Sequence, residues 1–197
     1  MPRHEGHPVV RSVPGPLHRS TPPLDYRLAL RFPRANTLLL RSVLQLPPTA
    51  RVRRLALARA LQVIWSAYER GELRAPIELV YAPDVVMEMG AIQGAGPIGL
   101  PSSLTTREEL IRFQIEWTDS FAWMRYEVTE LLDFGDAIVF GVKQEGEGRM
   151  SGVITHVQMF SALRLQGGRV NWQLFVLERD DAIRSIGRDP ATVPGPG

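Results

Sequence analysis

The sequence predicts an α+β domain from Val52 to Gly187, with three helices closing over a curved antiparallel sheet. Two observations carry this. Apolar residues recur at helical spacing as far as about Phe121, and at every second position from Met124 onward. The breaks in the second half are short Asp-, Glu- and Gly-rich hairpin signals, and helices followed by a run of strands is the α+β pattern.

The first helix begins at Arg51 and places Leu57, Leu61, Ile64, Trp65 and Tyr68 on one face, with Gly71 suited to the position just past its end. A second helix spans Glu72 to Tyr81 with Ile77, Val80 and Tyr81 inward, and Pro83 ends it. Val85 to Met89 reads as a strand, and Gly90 to Ser103, with four glycines and two prolines, as a loop. Thr106 and Glu109 form a capping box that opens a third helix running to about Phe121. Leu110, Phe113, Trp117 and Phe121 are its buried stripe. Four strands follow: Met124 to Leu132, Ala137 to Gln144, Val153 to Leu165 and Val170 to Leu177. Asp180 to Ile186 closes the domain as a short helix, and the residues from 188 to 197 read as a mobile tail. Both faces of the later strands carry bulky residues, for instance Trp172 and Leu174 against Gln173 and Phe175. One helical layer cannot cover both, so a homodimer through the sheet is expected.

Residues 1–50 read differently. They hold nine of the sixteen prolines, and as far as Arg54 the chain carries ten arginines against Glu5 and Asp25. Such a leader is expected to be disordered, apart from a short apolar element between Thr37 and Leu46 that could dock on the domain. It lacks the apolar core of a secretory signal, and its prolines would spoil the amphipathic helix of a transit peptide. It shows no basic stripe interleaved with aromatics, so no nucleic-acid partner is expected. No apolar run approaches the ~20 residues of a membrane span. The absence of cysteine excludes disulfides, a thiolate nucleophile and Cys-ligated metals. No metal or cofactor is expected, and the location is taken as cytoplasmic.

Four local signatures in order, Tyr68-Glu69-Arg70-Gly71-Glu72-Leu73, Tyr81-Ala82-Pro83-Asp84-Val85-Val86, Gly167-Gly168-Arg169-Val170 and Glu178-Arg179-Asp180-Asp181-Ala182, resemble the SnoaL-like branch of the nuclear transport factor two-like superfamily. The resemblance implies a conical α+β roll with a pocket between helices and concave sheet, and commonly a sheet-to-sheet dimer. The fold hosts isomerases, cyclases, dehydratases and binders, so activity must come from the site. Aligned on the ketosteroid isomerase pattern, the catalytic Asp falls at Met89, the Tyr at Ile64 and the second Asp near Ser161. The acid of the polyketide cyclases falls at Phe175. None of these residues can exchange or donate the required proton.

Two other groups are candidate bases: His156, the only domain histidine, and Glu88. Strand alternation points both away from the pocket. Glu116 and Asp119 suit a solvated helix face, and Glu178 suits fixing the last helix. Gly94 to Gly99 matches a dinucleotide fingerprint literally, but Pro97 and Pro101 deny it the helix that motif needs, and a lid over the pocket mouth fits better. What remains is an aromatic and sulfur-rich set, Trp65, Tyr68, Met89, Trp117, Met159 and Phe175, with Ser161, Gln173 and Asn171 as orienting polar groups. This is expected to bind a mostly apolar small molecule. An enzyme of cyclase, isomerase or dehydratase type, using His156 or Glu88, is the alternative.

Overall fold

The computed structural model describes residues 22–90 and 101–193 and the backbone of His7–Val10. Strand β1 (His7–Val10) is followed by helices α1 (Leu24–Arg31), α2 (Pro33–Leu44), α3 (Arg51–Glu69) and α4 (Arg74–Val80). Then come β2 (Tyr81–Glu88), β3 (Ser103–Leu104) and α5 (Arg107–Asp119). The long strands β4 (Phe121–Asp133), β5 (Ala137–Gly148), β6 (Ile154–Gln166) and β7 (Arg169–Val176) lead to α6 (Arg179–Ser185) and a 3-10 turn, Pro190–Thr192. The seven strands form one sheet in the order β1-β4-β5-β6-β7-β2-β3. All neighbours are antiparallel except β2 and β7, which run parallel.

The helix ends follow from their sequences. Gly71 takes φ +75°, and the amides of Gly71 and Glu72 donate to the carbonyls of Tyr68 and Ala67. That pair of bonds satisfies two of the last carbonyls of α3 and requires the left-handed conformation glycine adopts most readily. At α5 the Thr106 hydroxyl accepts from the Glu109 amide at 3.2 Å, and the Glu109 carboxylate accepts from the Thr106 amide at 3.2 Å. The Thr105 amide also donates to this carboxylate, at 2.8 Å, and it, with the Thr106 amide adding to it, holds the Glu109 carboxyl below its usual value.

Three expectations need correction. The first concerns the leader, which is helical over 24–31 and 33–44. Its prolines fall at boundaries: Pro23 before α1, Pro33 at the first turn of α2 and Pro47 beyond its end. At a first turn the missing N–H costs nothing. Tyr26 buries against Val63 and Ala67 of α3, and Leu44 packs on the main core, within the stretch 37–46 expected to dock.

The second concerns cover for the outer sheet face. Ala182 and Ile183 of α6 are fully buried, and with Phe134 and Val193 they pack on Leu132, Val139, Ala162, Val176 and Trp172. The chain's own C-terminal segment therefore covers much of the face assigned to a second copy. Val193 is 6% exposed, so the stretch expected to be mobile is packed at least that far.

The third concerns alternation. The pairing of β4 with β5 shifts between Val128 and Glu130. Tyr126 and Val128 face the inner core with Leu131, while Leu132 faces the outer cluster. The extra residue, Thr129, reverses the parity. A similar shift between Arg164 and Leu165 puts Val170 in the inner cluster and Trp172 in the outer one, although they share a parity. Likewise β2 starts at Tyr81 and not Val85, tolerating Pro83 because its pairing with β7 is irregular between Tyr81 and Val86.

Candidate functional site

Between α3, α5 and the concave sheet lies a cavity of about 60 Å³. One water needs ~10–15 Å³, so the cavity suits a compact molecule. Its wall follows from the unbroken β5–β6 register. Val142 pairs with Met159 and Gln144 with Val157, while Tyr126 of β4 pairs with Gln144. Alternate residues of these strands thus converge on one face. Phe175 comes from β7, Met89 from just past β2, and the roof is Trp65 of α3 with Phe113, Gln114 and Trp117 of α5.

Of the residues proposed from sequence, Trp65, Met89, Trp117, Met159 and Phe175 line the cavity. Tyr68, Ser161 and Gln173 do not. Tyr68 is buried behind Trp65, edge-on at 5.4 Å between ring centroids. Ser161 and Gln173 belong to a buried chain in which the Tyr81 hydroxyl donates to Gln173 Oε1 at 2.7 Å and Gln173 Nε2 donates to Ser161 Oγ at 2.8 Å. Their polar atoms satisfy one another, which removes the desolvation penalty each would otherwise carry. The Asn171 amide, near the start of β7, donates to Gln166 at the end of β6.

The candidate bases lie elsewhere. His156 has 70% of its side chain exposed and sits 3.8 Å from Glu145, its partner across the β5–β6 ladder. Glu88 accepts the indole N–H of Trp172 at 3.0 Å on the outer side. Glu116 and Asp119 are exposed. Glu178 makes no capping hydrogen bond. The final helix is instead held by Arg179, whose guanidinium donates to both oxygens of Glu130 at 2.7 and 2.8 Å. The glycine-rich segment read as a lid falls at 94–99, outside the described residues.

Sequence reasoning missed Gln114, Tyr126, Val142 and Gln144 as lining residues, and had Phe113 only as core. Gln144 was legible as the sole amide side chain in an apolar stretch of β5, but its face depends on register. It is 5% exposed. Trp65 and Tyr126 lie with ring centroids 4.6 Å apart. Burial, with the Glu69 carboxylate adding to it, pushes the Tyr126 phenol above its usual value, and burial does the same for Tyr81. Both remain neutral donors at ordinary pH.

The polar groups of the wall are poorly satisfied. Trp65 Nε1 is buried and has no acceptor among the described residues. Gln144 Nε2 and the Tyr126 hydroxyl both point at Met124 Sδ, at 3.5 and 3.6 Å. A thioether is a weak acceptor. Two donors therefore share one poor partner, and the third has none among the described residues. Among the described residues no cluster of His, Asp or Glu could hold a metal, and no helix is long and apolar enough to cross a membrane.

Comparison with known proteins places the fold. No family model matches the sequence, and no curated protein matches it. Solved structures do match. A protein from Catenulispora acidiphila with a ketosteroid isomerase-like fold, in complex with trimethylamine, is similar over 66% of this chain and 92% of its own, at 15% identity and TM-score 0.51. A nuclear transport factor two-like protein of unknown function from Burkholderia pseudomallei is similar over 64% and 93%, at 21% identity and TM-score 0.52. A protein from Jannaschia described as a SnoaL-like polyketide cyclase is similar over 60% and 82%, at 13% identity and TM-score 0.51. The chain therefore shares the fold of these ketosteroid isomerase-like, SnoaL-like and nuclear transport factor two-like structures, the fold that the sequence signatures implied. At these identities the likeness shows the fold alone.

Proposed function

We propose that this protein binds a compact, mostly apolar molecule carrying a hydrogen-bond acceptor, such as a ring ketone or phenol, in the cavity roofed by Trp65 and Trp117. The observation that carries the reading is the set of three under-satisfied donors, Trp65 Nε1, Gln144 Nε2 and Tyr126 OH, inside a wall that is apolar apart from these and Gln114. A small number of convergent polar groups among apolar ones is the usual constitution of a small-molecule site. A buried donor without a good acceptor costs about 1–3 kcal/mol, which a ligand acceptor would recover. Binding, not turnover, is the reading favoured, because His156 and Glu88 both stand away from the cavity.

A second reading rests on the five rings of the wall, Trp65, Phe113, Trp117, Tyr126 and Phe175. Such a box also suits a small alkylammonium cation, and the Catenulispora neighbour holds trimethylamine. Titration followed by the fluorescence of Trp65 and Trp117 separates the two. Ring ketones and phenols binding more tightly than trimethylamine, with Gln144→Leu weakening them about tenfold, supports the first. Preference for trimethylamine, unaffected by Gln144→Leu, replaces it with the second.

The homodimer is retained as a proposal in narrower form. The outer face near Ile154 and His156 stays exposed beyond the reach of α6, and a second copy would meet it there. Sedimentation velocity showing a monomer at high concentration would end that proposal.

A further inference from the structure

The helices before the sheet domain present an unusual outer surface. On α1 the residues Leu24, Arg27, Leu28 and Arg31 follow helical spacing along one stripe, and on α2 Arg34, Leu38 and Arg41 do the same; all are exposed. Leu24, Leu28, Phe32, Leu38, Leu39 and Leu55 are between 48% and 69% exposed. Large exposed apolar side chains in such number mark an interaction surface. Six exposed arginines, at 27, 31, 34, 41, 51 and 54, stand among them, and among the described residues none pairs with a carboxylate. Asp25, the only acid between 22 and 68, is already held by Arg59 at 2.7 Å. Behind this surface a cleft of about 210 Å³ is lined by Leu39, Leu40, Ala56 and Val63. Leu39 both lines it and is exposed.

We propose that the α1–α2 surface, with the start of α3, docks on an anionic lipid bilayer, the leucines entering the headgroup boundary and the arginines meeting lipid phosphates. Interleaved cationic and aliphatic residues on short helices are the pattern of interfacial attachment. Charge selects this occupant over a second copy of the chain, since self-association through this face would oppose two sets of unpaired arginines. The aliphatic side chains select it over nucleic acid, which offers little apolar surface to bury them.

The test is co-sedimentation of the full chain with phosphatidylcholine vesicles, with and without phosphatidylglycerol, at low and high salt. The expected result is binding only to the anionic vesicles, weakened by salt, and falling about fivefold for each arginine removed in Arg27→Glu and Arg34→Glu. Leu24→Asp with Leu38→Asp should abolish it. Near-UV circular dichroism unchanged in these variants confirms that the fold persists. No binding, equal binding to neutral vesicles, or displacement from vesicles by duplex DNA would overturn the proposal. So would a dimer that disappears in the leucine variants.

Discussion

Arg53 and Asp133 form a buried bidentate ion pair, 2.5 and 2.7 Å between their polar atoms, across eighty residues of chain. All five guanidinium hydrogens are used. Besides the carboxylate they reach the carbonyls of Leu44, Leu46 and Gly135, and Asp133 also accepts the Gly135 amide. One side chain thus ties the end of α2, the start of α3 and the β4–β5 turn together. The side chains are 2% and 0% exposed.

Asp133→Asn leaves a buried guanidinium without its counter-charge. The expected loss is about 3–5 kcal/mol, or roughly 10 °C in Tm, measured by thermal unfolding. The double replacement Arg53→Met, Asp133→Leu should recover only part of this, because the Leu44, Leu46 and Gly135 carbonyls still lose their donors. Full recovery would mean those backbone bonds contribute nothing.

Gly141 lies opposite the bulge at Thr129. A Cβ there would fall 2.6 Å from Thr129 Oγ1 and 3.0 Å from the Phe160 ring. Gly141→Ala should cost about 1–3 kcal/mol by overpacking and, by pressing on the bulge, loosen the Glu130–Arg179 pair. Hydrogen exchange should then show faster opening of α6 than of α5.

The phenols of Tyr68, Tyr81 and Tyr126 are all pushed above their usual value, in each case first by burial. A raised folded pKa means the folded state holds its proton where the unfolded state releases it. The corresponding stability is fully present below about pH 10 and is lost as pH rises above it. Denaturant midpoints should therefore fall steeply from about pH 10 to about pH 11. Flat midpoints across that window would contradict the burial of these phenols.

Gln144→Leu should raise stability while weakening the ligand, since an amide facing only a thioether is replaced by an apolar side chain of similar size. The expected gain is about 1 kcal/mol in unfolding experiments. A loss of stability would show that the amide is better satisfied than its contacts indicate.

His156→Ala should change neither stability nor ligand affinity by more than about 0.5 kcal/mol, because the imidazole is exposed and its contact with Glu145 lies at 3.8 Å. A large effect on turnover of any substrate would revive the enzymatic alternative.

The sequence by itself determined the main elements from α3 onward and their order. The capping box at Thr106, the glycine after α3 and the hairpin signals are local devices whose physics acts within a few residues, so they can be read without a fold. Five of the eight proposed ligand residues line the cavity for a related reason: Trp65, Met89, Trp117, Met159 and Phe175 lie on faces that helical or strand spacing assigns directly. Tertiary structure decided the rest. The bulges at Thr129 and near Leu165 each reverse which side of the sheet a residue occupies, and no local signal marked them. Whether a buried polar group is spent or available depends on what folding brings beside it. Ser161 and Gln173 meet Tyr81 and are satisfied, while Gln144 and Trp65 meet sulfur and rings. The prolines of the leader were legible as helix breakers, but only packing against α3 decided that helices would form between them.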